Sequence, residues 1–135
     1  MSENAGIHLI VDGYVSDPAV FTRETVENMF AAVISALEMK ALGPAHIYEV
    51  PVDLAVLQRV KETGTFEDSG GITGVVVIST SHLSIHCWPA ESFFSLDAFS
   101  CKDFPHERAL SIIRKMLGVQ SANVTVLSRR KPVTA

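Results

Sequence analysis

Hydroxyls, two imidazoles and a thiol are gathered into two neighbouring stretches of this chain, Ser79-Thr80-Ser81-His82-Leu83-Ser84-Ile85-His86 and Asp97-Ala98-Phe99-Ser100-Cys101. A serine can attack a carbonyl, a histidine five positions later can take a proton, and a cysteine beyond a turn can return one. Together these operations span a covalent mechanism. Each residue also has a plainer reading taken alone: Ser81 as a turn serine, His86 as a hydrogen-bonded histidine, Cys101 and Cys87 as packing thiols.

The elements that position these residues follow from residue periodicity. His82, Ser84 and His86 alternate with Leu83 and Ile85, the pattern of a half-buried strand with the two histidines on one face. Trp88-Pro89-Ala90-Glu91-Ser92 reads as a turn. The next run, Phe93 to Cys101, places Asp97, Phe99 and Cys101 on a common face, so a hairpin is expected to bring His86 and Cys101 towards one pocket. Upstream, Gly74-Val75-Val76-Val77-Ile78 reads as a strand buried on both faces.

Around this centre, Ile7 to Asp12 reads as a first strand ending at Gly13, and His46 to Val50 as a second strand closed by Pro51. Val26, Met29, Phe30, Val33, Ile34 and Leu37 recur at helical spacing, predicting a helix over about 22–41 that is stopped by Gly43 and Pro44. The stretch 54–60 fits a short helix or an extended connection. Glu62 to Gly71 is a loop. Pro105 opens a second amphipathic helix carrying Ala109, Ile112, Ile113, Met116 and Leu117, ended by Gly118, and residues 122–127 form a closing strand. This order predicts an α/β chain of the α+β kind, a two-layer sandwich of a largely antiparallel sheet with two main helices on one face. The bare face of such a sheet needs cover, which a second copy would provide.

The chain has 135 residues, 47% of them hydrophobic, which fits a single domain over 1–135 with a real core. Eleven basic against fifteen acidic residues give a formal charge of −4, and the one basic cluster is Arg129-Arg130-Lys131. Nucleic acid is therefore not an expected partner. The longest apolar run, Val75 to Ile78, is too short to cross a bilayer, so no membrane role is expected and a cytoplasmic location is. Two cysteines make a poor disulfide framework.

The stretch from Thr73 to Cys101 resembles the short bacterial and archaeal class of S-adenosylmethionine decarboxylase proenzymes. The residues that carry the resemblance are Gly74 to Ser79, Ser81-His82-Leu83, Ile85-His86, Trp88-Pro89, Asp97 and Phe99-Ser100-Cys101. The resemblance implies that Ser81 attacks the carbonyl of Thr80, that the chain splits between residues 80 and 81, and that a pyruvoyl group is left where Ser81 stood. It gives His86 proton transfer in self-cleavage, Thr73 a supporting hydroxyl role and Cys101 the role of acid in decarboxylation. Trp88, Leu83, Phe66 and Glu91 are the candidate substrate contacts; for a nucleoside substrate Trp88 and Phe66 are candidates to sandwich the adenine ring, although aromatic residues of this kind more often fill the core. The implied product serves polyamine (spermidine) synthesis, and the implied assembly is a homodimer of processed protomers around shared active sites.

A pyruvoyl group makes chemical sense here because loss of CO2 from an amino acid needs an electron sink at the α-carbon, the task pyridoxal phosphate performs elsewhere. The chain departs from the family pattern at four places: Thr73 stands where serine is usual, Thr80 and Ala90 where glutamate is usual, and Lys102 where glycine is usual. Ala90 removes the side chain that holds the ribose hydroxyls in the family, which opens ornithine or arginine as alternative substrates. Thr80 and Ala90 together also allow an unprocessed homologue acting as a binding subunit. A zinc site from His82, His86, Cys87 and Cys101 is disfavoured, because strand alternation puts Cys87 opposite His86 and no Cys-x-x-Cys pair is present. No resident metal is expected.

Overall fold

The computed structural model describes residues 3–133. Six strands, β1 (Asn4–Val15), β2 (His46–Val50), β3 (Gly71–Ile78), β4 (Ser81–Trp88), β5 (Phe93–Ser100) and β6 (Val119–Arg130), form one sheet in the order β2-β3-β4-β5-β1-β6. Every strand pair in it is antiparallel. Helices α1 (Arg23–Ala36) and α3 (His106–Leu117) bury Val26, Met29, Phe30, Val33, Ile113 and Leu117. They pack on the sheet face that carries Leu9, Val11, Leu83, Ile85, Phe94 and Leu96. The expected two-layer α+β sandwich is thus the observed one.

The stretch 54–60, which fits either a short helix or an extended connection, lies in helix α2 (Leu54–Thr63). Asp53 caps it by accepting from the amides of Ala55 and Val56, and Gly64 ends it in the left-handed conformation. It buries no residue, so capping and propensity hold it rather than the core.

Several expected boundaries shift for physical reasons. α1 stops at Ala36 rather than near residue 41, because Glu38 turns left-handed and the chain peels away to pair Ala41 with Ile78. β1 runs through Gly13 rather than ending there. A Cβ at Gly13 would lie 2.8 Å from the fully buried ring of Phe94, so this glycine makes room inside a strand instead of breaking one. β6 extends over 119–130, beyond 122–127, as an edge strand whose exposed polar residues give no alternation to read. β3 is covered on one face only: Val76 and Ile78 are buried while Val77 is 51% exposed, which corrects the expectation of burial on both faces.

The bare face is organised in rows that cross the strands. Tyr48, Thr73, His86, Ser95, Asp12 and Asn123 form one row, and Val75, Ser84, Asp97, Ile10 and Thr125 the next. Val77, His82, Phe99, His8 and Leu127 form a third. The face is therefore polar through the middle, with the titratable side chains alternating out of a sheet whose other side is hydrocarbon.

Candidate active site

The candidate residues fall into two groups at opposite ends of the central hairpin. At the turn end, Ser79 and Thr80 join β3 to β4, with Ile78 paired directly to Ser81 and Ser81 to Ser100. Ser81 is buried, and its Oγ donates to Ser100 Oγ at 3.3 Å. The Thr80 hydroxyl is hydrogen-bonded to the Ser79 carbonyl at 2.7 Å and to Cys101 Sγ at 2.8 Å. Cys101 itself is exposed. These residues, with Glu38, Lys40 and Lys102, line a cleft of about 260 Å³.

At the other end, on the bare face, Thr73 Oγ1 and His86 Nδ1 lie 3.1 Å apart across the β3–β4 pair. Beside them, Trp88 stacks on Phe93 with centroids 5.4 Å apart and meets Phe66 edge to face at 5.1 Å. The indole Nε1–H donates to Asp68 Oδ1 at 3.1 Å, which also accepts the Gly70 amide at 3.0 Å. Tyr14, Phe66, Trp88 and Phe93 wall a cavity of about 660 Å³ whose polar side is Asp12, Ser95, Ser121 and Asn123. Within it the Ser95 hydroxyl donates to Asp12 at 2.7 Å.

Placement corrects several expectations. His86 pairs with Ser95, not with the end of β5, so the hairpin separates His86 from Cys101 instead of joining them. Five residues of strand between Ser81 and His86 amount to roughly 16 Å, and the two side chains leave opposite faces. Phe66 and Trp88 are perpendicular neighbours, so they make one wall and not the two sides of a slot. Leu83 is buried in the core on the helix face. Glu91 does not line the aromatic cavity, and its Oε2 is buried without a partner.

Asp12, Ser95, Asn123 and Asp68 join the site only through the fold. A signal for Asp12 was present: it is a lone carboxylate on the alternating face of an otherwise apolar strand. Asp68, in a loop, gave none.

A third cluster lies between the two ends. His8 Nε2 and Asp97 are 2.9 Å apart, Arg129 stacks 4.6 Å above the Phe99 ring, and His82 tilts against the same ring at 5.6 Å. Burial holds the His82 imidazole below its usual value near 6.5, with His8 and Arg129 adding to the shift and Asp97 opposing it. Cys87 faces the helices, and burial pushes its thiol up to about 12. Among the described residues no three His, Cys, Asp or Glu side chains converge as metal ligands, and no helix is long and apolar enough to cross a membrane.

An antiparallel α+β sandwich with a tight two-residue turn at one end of its central hairpin and a hydrogen-bonded histidine beside an aromatic cavity at the other is the frame in which the family relationship stands. The model of the S-adenosylmethionine decarboxylase family matches residues 7–130, and the chain belongs to that family. A Pyrococcus horikoshii protein named S-adenosylmethionine decarboxylase proenzyme is 33% identical over 111 residues, covering 78% of this chain and 80% of that one. A Thermoanaerobacter protein of the same name is 42% identical over 67 residues, 47% of this chain, and the match spans 54% of its length. Among solved structures, the adenosylmethionine decarboxylase of Aquifex aeolicus superimposes with a TM-score of 0.72 at 22% identity, covering 98% of this chain and 97% of that one. This last likeness is one of fold.

Proposed function

We propose that this chain is a proenzyme of one domain that cuts itself between Thr80 and Ser81 and then decarboxylates S-adenosylmethionine in the cytoplasm, feeding polyamine synthesis. The observation that carries the proposal is the location of Ser81, the first residue after a two-residue turn whose preceding carbonyl belongs to Thr80. Ser81 Oγ adds to that carbonyl carbon, the peptide C–N bond breaks, and the nitrogen takes the hydroxyl proton, giving an ester. Loss of the Ser81 α-proton and cleavage of the Cβ–O bond release the Thr80 carboxylate. Water then displaces ammonia from residue 81, leaving the pyruvoyl group. Ser81, Thr80 and Ser100 fit this formation step, since the Ser81 hydroxyl has the Ser100 hydroxyl as its neighbour and the turn borders an open cleft. When formed, the pyruvoyl carbonyl supplies the electron sink for decarboxylation.

His86 suits the proton-transfer step if its Nδ1–H donates to Thr73, which leaves the Nε2 lone pair free. Its distance from Ser81 within one chain rules out direct help there. A second copy stacked on the bare face about a two-fold axis would bring the Thr73–His86 pair of one protomer to the Thr80–Ser81 backbone of the other, where the carbonyl and the α-proton react, so each site is completed by two chains. Cys101 stands at that turn end, where it can protonate the α-carbon after CO2 has left. The aromatic walls with Asp12 and Asn123 offer an apolar surface with hydrogen-bonding groups, a match for a nucleoside bearing a cationic centre. Ala90 lacks the carboxylate that holds the ribose hydroxyls in the family, which keeps ornithine and arginine as the alternative substrates.

The test is release of labelled CO2 from S-adenosylmethionine, ornithine and arginine offered separately. Release from the first supports the proposal, and release from either amino acid alone reassigns the substrate while keeping the chemistry. For the shared site, Ser81→Ala and His86→Ala proteins are each expected to remain uncut alone. Co-expressed, they should yield cut His86→Ala chains, because the mixed dimer holds one complete site. No cutting in the mixture, with mixed dimers present, would contradict sharing.

A further inference from the structure

Three non-glycine residues among those described have positive φ, Glu38, Thr80 and Ser92, and Thr80, at +52°, is the one with a branched Cβ. A β-branched residue in the left-handed region is a true outlier, because its Cβ crowds the backbone carbonyl. Such a conformation persists only where its surroundings enforce it. Here the direct pairing of Ile78 with Ser81 allows the turn two residues and no slack. The Thr80 hydroxyl adds its bonds to the Ser79 carbonyl and the Cys101 thiol at 2.7 and 2.8 Å. Strain therefore sits on the residue whose carbonyl is the one under attack.

We propose that Thr80 is a positioning residue for self-cleavage: its pinned left-handed backbone raises the energy of the intact turn and so speeds attack by Ser81. The inference rests on the self-cleavage reading. The bond from Ser81 Oγ to the Thr80 carbonyl carbon forms as the peptide C–N bond breaks and the hydroxyl proton passes to the nitrogen. The hairpin then no longer holds residue 80 through the backbone of residue 81, and Thr80 can relax. Its hydroxyl bonds partly offset the strain and are not the source of it.

The experiment follows the rate at which fragment 81–135 appears after a pulse of cell-free synthesis, for the parent and for Thr80→Val, Thr80→Asn and Thr80→Gly. Valine keeps the branch and loses the hydroxyl, asparagine tolerates the left-handed region, and glycine has no preference against it. The expected order of rates is Val at least equal to Thr, then Asn, then Gly, with glycine about tenfold slower than the parent. Thermal melting of the same variants on a Ser81→Ala background, which cannot be cut, should show the glycine chain at least as stable as the threonine chain. Cutting of Thr80→Gly at the parent rate, or valine slower than asparagine, overturns the inference. So does slow cutting accompanied by a lower melting temperature, which would signal a damaged fold. A parent that is never cut brings down the self-cleavage reading itself, an outcome distinct from a parent and glycine variant cut equally fast.

Discussion

The two ends of the β3–β4 hairpin are built by opposite means. At the turn end, a two-residue connection forces Thr80 into a strained conformation and crowds Ser81, Ser100 and Cys101 together. At the far end, Thr73 and His86 are held in relaxed strand geometry on an uncovered face, beside a cavity walled by aromatic rings. In the proposed reading, one end holds the bond to be cut among hydrogen-bonded hydroxyls and a thiol, and the other holds a proton-transfer pair beside a binding surface. In the proposed reaction, residues five apart in sequence, which a strand carries apart and turns to opposite faces, act together through two molecules.

The sharpest way to break this contrast is to remove the groups at each end and compare what is lost. Ser81→Ala should abolish both cutting and decarboxylation, read by gel mobility and CO2 release. Cys101→Ala should still be cut but should lose on the order of 10²-fold or more in kcat, the usual worth of a positioned proton donor. If Cys101→Ala instead blocks cutting, the thiol belongs to the turn's chemistry and not to the later step. At the cavity end, Trp88→Ala should be cut at the parent rate and raise KM by roughly tenfold, since an aromatic contact contributes about 1 kcal/mol beyond its buried area. A change confined to kcat would place Trp88 closer to the reacting atoms than the aromatic wall implies.

The thiols give a quieter test of the same division. Burial holds Cys87 protonated well above neutral pH, whereas Cys101 is exposed. The folded Ser81→Ala chain should take up one equivalent of iodoacetamide and the denatured chain two, counted by mass. Two in the folded state would mean that β4 opens.

What could be read from the sequence was whatever alternation or helical spacing records. The strand character of 81–88 was visible because Leu83 and Ile85 alternate with His82, Ser84 and His86, and α3 because its apolar positions repeat with helical spacing. The meeting of His86 with Thr73 was not readable, since it depends on the register set by the two-residue turn. The same register moves His86 away from Cys101. The aromatic cavity draws Tyr14, Phe66, Trp88 and Phe93 from separate strands and a loop, which no local pattern links. Gly13 looked like punctuation because a strand has no local need for glycine, and its reason lies across the sheet in the ring of Phe94.

The smallest expected effect comes from the cluster between the two ends. His82 has a folded-state pKa below its unfolded value near 6.5. As pH falls through that value, the unfolded chain binds the proton first, so the folded state loses stability on acidification until His82 protonates in place. His82→Gln should therefore lose less in melting temperature between pH 7 and pH 5 than the parent does. Equal losses would mean that His82 does not contribute to the acid sensitivity of the bare face.

The most direct measurement of the central claim is the intact mass of purified protein before and after borohydride reduction. The account predicts two species, residues 1–80 and a fragment beginning at position 81 that carries a carbonyl and gains two hydrogens on reduction. A single full-length mass after prolonged incubation, unchanged by borohydride, would contradict it.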